Sequence, residues 1–559
     1  MRPLDWYVLI GCLSLVVGYG TWRARGANTV RKYMLAGRSM PWYAMAFSIM
    51  ATQASAITFI STTGQSYVDG MRFVQFYFGL PIAMVILSVT AVPLFHRAKV
   101  YTAYEYLEQR FDAKTRTLAS VIFLIERGLA IGIALYALAI VLSIILGWPD
   151  RITVLIVGVL AVLYTAMGGV VAVTWTEFPQ MIVMTFGLFG ALGTALWLLP
   201  HGVGPLGAVR VAKAAGKLHL LVLTFSWSDR YNLWSGLLGG MFLALAYFGC
   251  DQSQVQRYLT GKSVAQSRLS LLLNAVAKIP MQFFILFIGA MVFVFFNYER
   301  PPLLFQPVEL KNIQRDARFP AAERRYQEAY AHRREAADRF IEANRSGDPG
   351  VRTASIQRYR DAQQELNDAH AAGEHLVGKE FDDTNFIFLS FVTHYLPVGV
   401  VGLIVAVIFS AAMSSTSGEI NSLSAVTVID IYRRHIKRDA SDRHYLVASR
   451  IATVFWGCFA MGFAQYGKNF GALIQAVNVI GSLFYGGLLG VFVLAFFFRS
   501  VGANGAFFGV LAGEAAIFAA NLFTNVSFLW YNVIGCLVVI MVGVAVSRVF
   551  DRSALPHQR

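Results

Sequence analysis

Ser414 and Ser415 stand side by side in the stretch IFSAAMSSTSGEINSLSAVTVIDIY (Ile408 to Tyr432), inside a run otherwise apolar enough to cross a bilayer. Ala411 lies one turn earlier, so on a helix a hydroxyl pair and a nearby carbonyl share one face. A dehydrated sodium ion wants several oxygens, and neutral ones suffice if a partner segment donates backbone carbonyls. The stretch AMAFSIMATQASAITFISTTGQSY (Ala44 to Tyr67) is a candidate partner, with Gln53, Ser55, Thr58, Ser61, Thr62 and Thr63 at or beyond mid-depth. Backbone polar groups in hydrocarbon must be paired internally. Small and hydroxyl residues at mid-span therefore mean either close packing against neighbours or an unwound segment that exposes carbonyls to a cation. Arg127 lies inside another apolar run. An arginine there is costly and usually functional, and its planar fork suits a carboxylate. The plainer alternative pairs it with adjacent Glu126 or a backbone carbonyl.

These residues need membrane-spanning elements to hold them. The chain has 559 residues, 56% hydrophobic and 14% charged, where soluble domains carry about 25% charged residues. That excludes an ordinary soluble protein. Apolar stretches recur at about 4–22, 42–64, 72–96, 118–146, 152–172, 176–199, 233–258, 268–297, 399–430, 447–466, 471–499, 503–523 and 528–548, which predicts an all-α polytopic membrane protein with about thirteen helices. The net charge of +15 follows from a positive-inside bias and gives no case for nucleic acid. Arg23, Arg25, Arg31, Lys32 and Arg38 put the first loop in the cytoplasm and the N-terminus outside; alternation then puts Arg97, Lys99, Arg257, Lys262, Arg433, Arg434, Arg548 and Arg552 inside, with a cytoplasmic C-terminus. The first span is retained, since its basic cluster follows the apolar run rather than preceding it. Residues 298–398 form a charged helical insertion outside the membrane, with i,i+4 spacings such as Glu335 to Arg339. Its tail, 388–397, is apolar enough to lie on the membrane surface. The four cysteines fall in apolar runs with no paired spacing, and no histidine has a metal-motif spacing. GVGPLG (202–207) reads as a turn, and TGKS (260–263) lacks the upstream glycine of a phosphate loop.

Five ordered motifs carry a resemblance: KYMLAGRSMPWYAMAFSIMATQASAITFIS (32–61), GGVVAVTWTEFPQ (168–180), YFGCDQSQVQRYLTGKS (247–263), FSAAMSSTSGEINS (409–422) and DIYRR (430–434). With them the chain resembles the sodium:solute symporter family, which contains sodium/glucose, sodium/proline and sodium/sialic acid transporters. The resemblance implies a LeuT-type core of two inverted repeats of five helices each, with a broken helix opening each repeat. The implied segments are 1–41 (first helix and cytoplasmic loop), 42–199 (first repeat), 200–232 (an extracellular loop) and 233–297 (first two helices of the second repeat). There follow the insertion at 298–398, the last three helices of that repeat at 399–499, and two C-terminal helices with a short basic tail at 500–559. It also implies sodium ligands: the carbonyls of Ala51, Ala54 and Ala411 and the hydroxyls of Ser414 and Ser415. Some members bind a second sodium near an Asp where this sequence has Glu177, so a second ion is left open.

For the solute, Gln475 and Lys278 resemble residues that contact sugar in family members, and Tyr247 resembles an aromatic gate. Ala244 stands where sugar transporters have Asn, and Gln75 and Tyr77 stand where an acidic sugar ligand is expected. SAITF (55–59) and Arg127 look like the sialic acid transporters, in which an Arg pairs with a carboxylate. Gln53, Thr58, Gln75, Arg127, Tyr247, Lys278 and Gln475 are thus the solute candidates. Glu419 departs from the family's usual apolar residue and either faces the cytoplasmic vestibule or pairs with Lys278. The expected function is sodium-driven import of a small polar organic solute (a sugar, a sugar acid such as sialic acid, or a small carboxylate) across the inner membrane by a monomer. The rivals are a sensor or channel of the same fold without coupled transport, and a polytopic membrane enzyme, for which no catalytic constellation is present.

Overall fold

The computed structural model describes residues 1–23, 34–200, 203–346, 348–378 and 381–550. Arg25, Arg31 and Lys32 of the first loop, Gly202, and Arg552 of the tail lie outside them. Among the described residues all regular structure is helical, apart from one isolated bridge between Met40 and Gly261. Ten helices among the described residues are long and apolar enough to cross a membrane, or eleven counting one bent pair, against the thirteen expected. We label the helices needed below: α1 Pro3–Arg23, α2 Trp42–Gln53, α3 Ala56–Asp69, α4 Ala113–Leu146 and α5 Asp150–Trp197; α6 Gly240–Gly249, α7 Gln252–Leu259 and α8 Val264–Tyr298; α9 Phe319–Ser346, α10 Pro349–Val377 and α11 Thr384–Tyr395; then α12 Val400–Val426, α13 Asp442–Ala464, α14 Leu473–Phe497, α15 Ala503–Phe523 and α16 Phe528–Phe550.

Two places account for the smaller number. The stretch 233–258 is not one helix: wide turns at Ser235–Gly239 lead into α6, the chain breaks at Cys250–Asp251, and α7 starts under an Asp251 cap whose side chain accepts from Ser253 N. Neither piece alone reaches spanning length. The stretches 152–172 and 176–199 merge into the 48-residue α5, which laid straight would be roughly 70 Å long, over twice a bilayer core. Its contacts show that it is not straight. α4 runs parallel to α13, since Gly128 abuts Trp456 and Gly132 abuts Phe463, and antiparallel to α12, since Arg116 meets Asp430 and Arg127 meets Glu419. Hence α12 and α13 oppose each other. Early α5 runs backwards along α13, with Gly158 at Met461 and Val162 at Gly457, and late α5 runs backwards along α12, with Gly187 at Val407 and Gly190 at Val400. The chain direction therefore reverses within α5.

Close approach is bought with small residues, as membrane bundles require. A Cβ on Gly402 would overlap the backbone of Asp5. That contact lets the buried Asp5 carboxylate accept from the N–H groups of Gly399 (2.6 Å) and Gly402 (3.3 Å), so α1 caps α12. At the opposite end of α12, Asp430 of the DIYRR motif accepts from Thr102 (2.8 Å) and Arg116 Nε (2.7 Å), and Arg116 also reaches Glu108 (2.7 Å).

α9 and α10 form a hairpin, as the charge spacing predicted, and Glu335 meets Arg339 at 2.6 Å. The hairpin is not merely solvated. Arg333 is fully buried and donates to the Phe296 carbonyl, while Tyr359 Oη donates to Asn297 (2.6 Å), docking it on the end of α8. The following segment packs into the protein over its first part: Thr384 to Val392 are buried, and Gly64 of α3 sits against the Thr384 backbone, while His394 and Pro397 of the expected surface stretch are exposed. Two sequence motifs also find structural roles. GVGPLG enters a short helix, Gly204–Ala214, with Pro205 in its first turn, and Ser263 of TGKS caps α8.

His370 of α10 ties the insertion to the start of α11, with Nε2 3.5 Å from Asp383 and Nδ1 3.8 Å from Glu374. Burial alone would lower the His370 pKa, but the Asp383 charge and hydrogen bond outweigh it and raise it to about 9. Glu374 is raised by burial and by Asp383. Both folded-state values lie above the unfolded ones, so the stabilisation is complete below about pH 6.5 for His370 and is lost as pH rises through about 9. We expect hydrogen exchange in α10 to quicken between pH 7 and 9.5, by on the order of 1–3 kcal/mol of lost protection, and the effect to vanish in His370→Gln.

Candidate functional site

The break predicted in the second span is present. α2 ends at Gln53, Ala54 (φ −92°, ψ 66°) and Ser55 (φ −76°, ψ 174°) leave the helical region, and α3 restarts at Ala56 bent by 53°. Thr58 holds the break by donating Oγ1 to the Gln53 carbonyl (3.1 Å) and its N–H to Ser55 (3.0 Å). Among the described residues, no donor reaches the carbonyls of Ala51 or Ala54. Buried carbonyls are seldom left this way. Two acceptors thus stand ready for a cation where the helix dipole is also negative.

α12 passes this break without interruption, unlike α2 and α3. Ser415 Oγ donates to the Ala411 carbonyl (3.0 Å) and to Thr52 O at the end of α2 (3.3 Å). Ser414 turns instead to Glu177 (2.6 Å), which also accepts from Thr52 Oγ1 (3.1 Å) and Ser48 Oγ and lies 3.4 Å from Arg257. Ala51, Ala54, Ala411, Ser414, Ser415 and Glu177 are therefore gathered at one buried junction of α2, α5, α7 and α12. Thr52 and Ser48 carry no signal of such a role in the sequence, and Arg257, expected among the charges of a cytoplasmic loop, is instead buried in α7 against Glu177.

A cavity of about 100 Å³ opens on the same break. Gln53 and Thr58 line it from the break, Glu126 and Arg127 from α4, and Tyr247 from α6; Tyr77, Glu419, Asn478 and Tyr485 complete much of the wall. The other solute candidates lie elsewhere. Gln75 is consumed by backbone: its amide donates to Tyr231 O (2.9 Å) and accepts from Val222 N (2.9 Å), fastening the loop before α6. Gln475 donates to Gln65 (2.8 Å) and accepts from Arg230. Lys278 is buried behind Tyr77, with Nζ 5.4 Å from the ring centre.

Arg127 is already paired, with more partners than the sequence reading gave it. It donates to Asp251 and to Tyr485 Oη, lies 3.2 Å from Glu419 and 3.5 Å from Glu126, and stacks 5.5 Å from the Tyr247 ring. Glu419 thus pairs with Arg127 and not with Lys278. Asp251, which the sequence reading left unassigned, also accepts from Tyr485 Oη (2.9 Å).

The family model for the sodium:solute symporter family matches residues 33–303 and 364–513. The chain belongs to that family. This symporter is 26% identical to the sodium/sialic acid symporter NanT of Aliivibrio fischeri, over 98% of this chain and 94% of that one. It is 25% identical to the sodium/sialic acid symporter SiaT of Proteus mirabilis, over 98% and 95%. A 28% identical relative is the sodium-dependent multivitamin transporter of Oryctolagus cuniculus, over 91% of this chain and 68% of that one. Among solved structures, a Na+-coupled sialic acid symporter in a substrate-bound outward-open state superposes with a TM-score of 0.77 at 24% identity, over 98% of each chain. That likeness shows that the symporter shares its all-helical fold.

Proposed function

We propose that this protein is a sodium-coupled symporter that imports a small polar organic solute by alternating access, and that it is not an enzyme. The observation that carries the reading is the break at Ala54–Ser55, which leaves the Ala51 and Ala54 carbonyls without donors on either side of Thr52, whose own carbonyl accepts from Ser415, while Gln53, Ser55 and Thr58 line the cavity. A cation at Ala51, Ala54, Ala411, Ser414 and Ser415 and a solute beside Gln53 and Thr58 share one backbone segment. Each therefore orders the other's site, and the coupling is reciprocal. Each positive charge carried through 100 mV releases about 2.3 kcal/mol, enough to concentrate a solute up to about fiftyfold. Glu177 is a candidate for a second ion, its carboxylate already ringed by Ser48, Thr52 and Ser414 hydroxyls.

In this reading thirteen segments cross the inner membrane in a 5+5 inverted-repeat core. The two legs of α5 count as separate crossings and the broken α6–α7 as one, with the N-terminus outside and the C-terminus in the cytoplasm. The breaks at Ala54–Ser55 and Cys250–Asp251 open the two repeats, and a monomer carries the whole path. Uptake of labelled sugars, sugar acids and amines into proteoliposomes, with an inward sodium gradient or an equal potassium gradient, tests the proposal. Accumulation against a gradient only with sodium is expected. Equal, non-concentrative flux in both would indicate a channel, and chemical conversion of the solute an enzyme.

A further inference from the structure

The cavity wall is rich in unused acceptors. Gln53 Oε1 and Glu419 Oε2 are buried on it without a hydrogen-bond donor, and Glu126 Oε2 has only a long 3.5 Å ion-pair contact with Arg127 Nε; both glutamates are more than nine-tenths buried. The one cation on the wall is Arg127, and its guanidinium is committed to Asp251, Tyr485 and Glu419. Around the cavity three carboxylates, Glu126, Asp251 and Glu419, surround that one arginine. Extending the circle to Glu177, Arg257 and Lys278 still leaves four acids against three bases. Buried acceptors without donors are costly, so the missing partner is a donor, and a cationic donor best offsets the surplus negative charge. A carboxylate would meet the opposite: it must displace Asp251 or Glu419 from Arg127 and then sit beside the released acid.

Resting on the proposed function, we infer that the solute carries a protonated amine, which Glu419 and Glu126 bind with Gln53, and that Arg127 holds these acids in place rather than receiving a solute carboxylate. Glu419 and Glu126 are then the specificity-determining residues.

Two size-matched triads test this on the full-length protein in lipid nanodiscs: ethanolamine, ethylene glycol and glycolate, then glucosamine, glucose and glucuronate. Affinity is read by thermal shift and by equilibrium competition, in sodium and in potassium. The expected result is that an amine binds at least tenfold more tightly than its neutral and acidic counterparts, in sodium only. Glu419→Gln and Glu126→Gln should each erase that preference while the sodium-induced thermal shift persists, which also shows that the variants fold. Preference for a carboxylate, no preference in either triad, or an amine preference that survives both substitutions overturns the inference. Absence of any preference is what protons held by the two acids would produce. If the sodium shift itself is missing from the parent protein, the failure lies with the proposed function and not with the amine.

Discussion

Sodium-driven uptake is expected to collapse when Ser414 and Ser415 are both replaced by alanine, in a protein that still folds and inserts. Both hydroxyls are buried between α12 and the end of α2, and Ser415 bridges the Ala411 and Thr52 carbonyls. Losing an oxygen contact to a charged group costs about 1.5–3 kcal/mol, so each substitution should weaken sodium binding roughly 10- to 100-fold, and the pair more. The lost groups are small, and their own partners are carbonyls or Glu177, so the fold should tolerate the change better than the ion does. The sodium concentration for half-maximal uptake is the quantity to measure. Half-saturation unchanged within twofold in Ser415→Ala would place the ion elsewhere. Ser414→Ala alone separates two readings: because Ser414 donates to Glu177 (2.6 Å), its loss should also alter any contribution of Glu177, which Glu177→Gln measures independently.

Replacing Arg127 by methionine should destabilise the protein more than any other single change on the cavity wall. It would leave Asp251, Glu126 and Glu419 facing one another in a buried site with no cation among them. Removing one member of a buried ion cluster costs about 3–5 kcal/mol, because the remaining charges are left uncompensated. The cost should fall when the charges are removed together. Arg127→Met combined with Asp251→Asn and Glu419→Gln should recover much of the loss in melting temperature, a non-additivity that contacting groups show and independent ones do not. Additive losses across the series would mean that the four residues do not act as a unit. Asp251→Asn alone should be milder, since Glu419 and Glu126 remain to hold the arginine and an asparagine oxygen can still cap α7.

The break at Ala54–Ser55 and the serine pair were legible because both depend on local composition: small and hydroxyl residues in the middle of an apolar run have few structural explanations. The helix number was less legible. Around 164–176 the sequence offers no proline, charge cluster or polar run to end one span and start the next, so two stretches of apolar residues are continuous in helical conformation while their direction reverses. The break at Asp251 had a signal that went unused, an acid and an arginine six residues apart (Asp251 and Arg257) in a chain with 14% charged residues. Charge in such a stretch points to a buried pair, but which pair is a tertiary matter. Arg127 could have met Glu126 by adjacency alone, and the partner it chose is 124 residues away. Amides carry even less positional information. Nothing in the spacing of Gln75 or Gln475 distinguishes a solute contact from what they do, which is to fasten loops whose shape the sequence does not reveal.

The carboxylate of Asp5 reaches the amide groups that open α12, so the helix carrying both serines begins on a residue from the far N-terminal end of the chain. A shortened protein starting after Arg23 would strip that anion from the helix dipole, at about 1 kcal/mol for a lost cap, and remove the Asp5 backbone packed against Gly402. The peripheral first helix is thus a structural brace for the helix that carries both serines, and trimming it should loosen sodium binding without touching a proposed ligand.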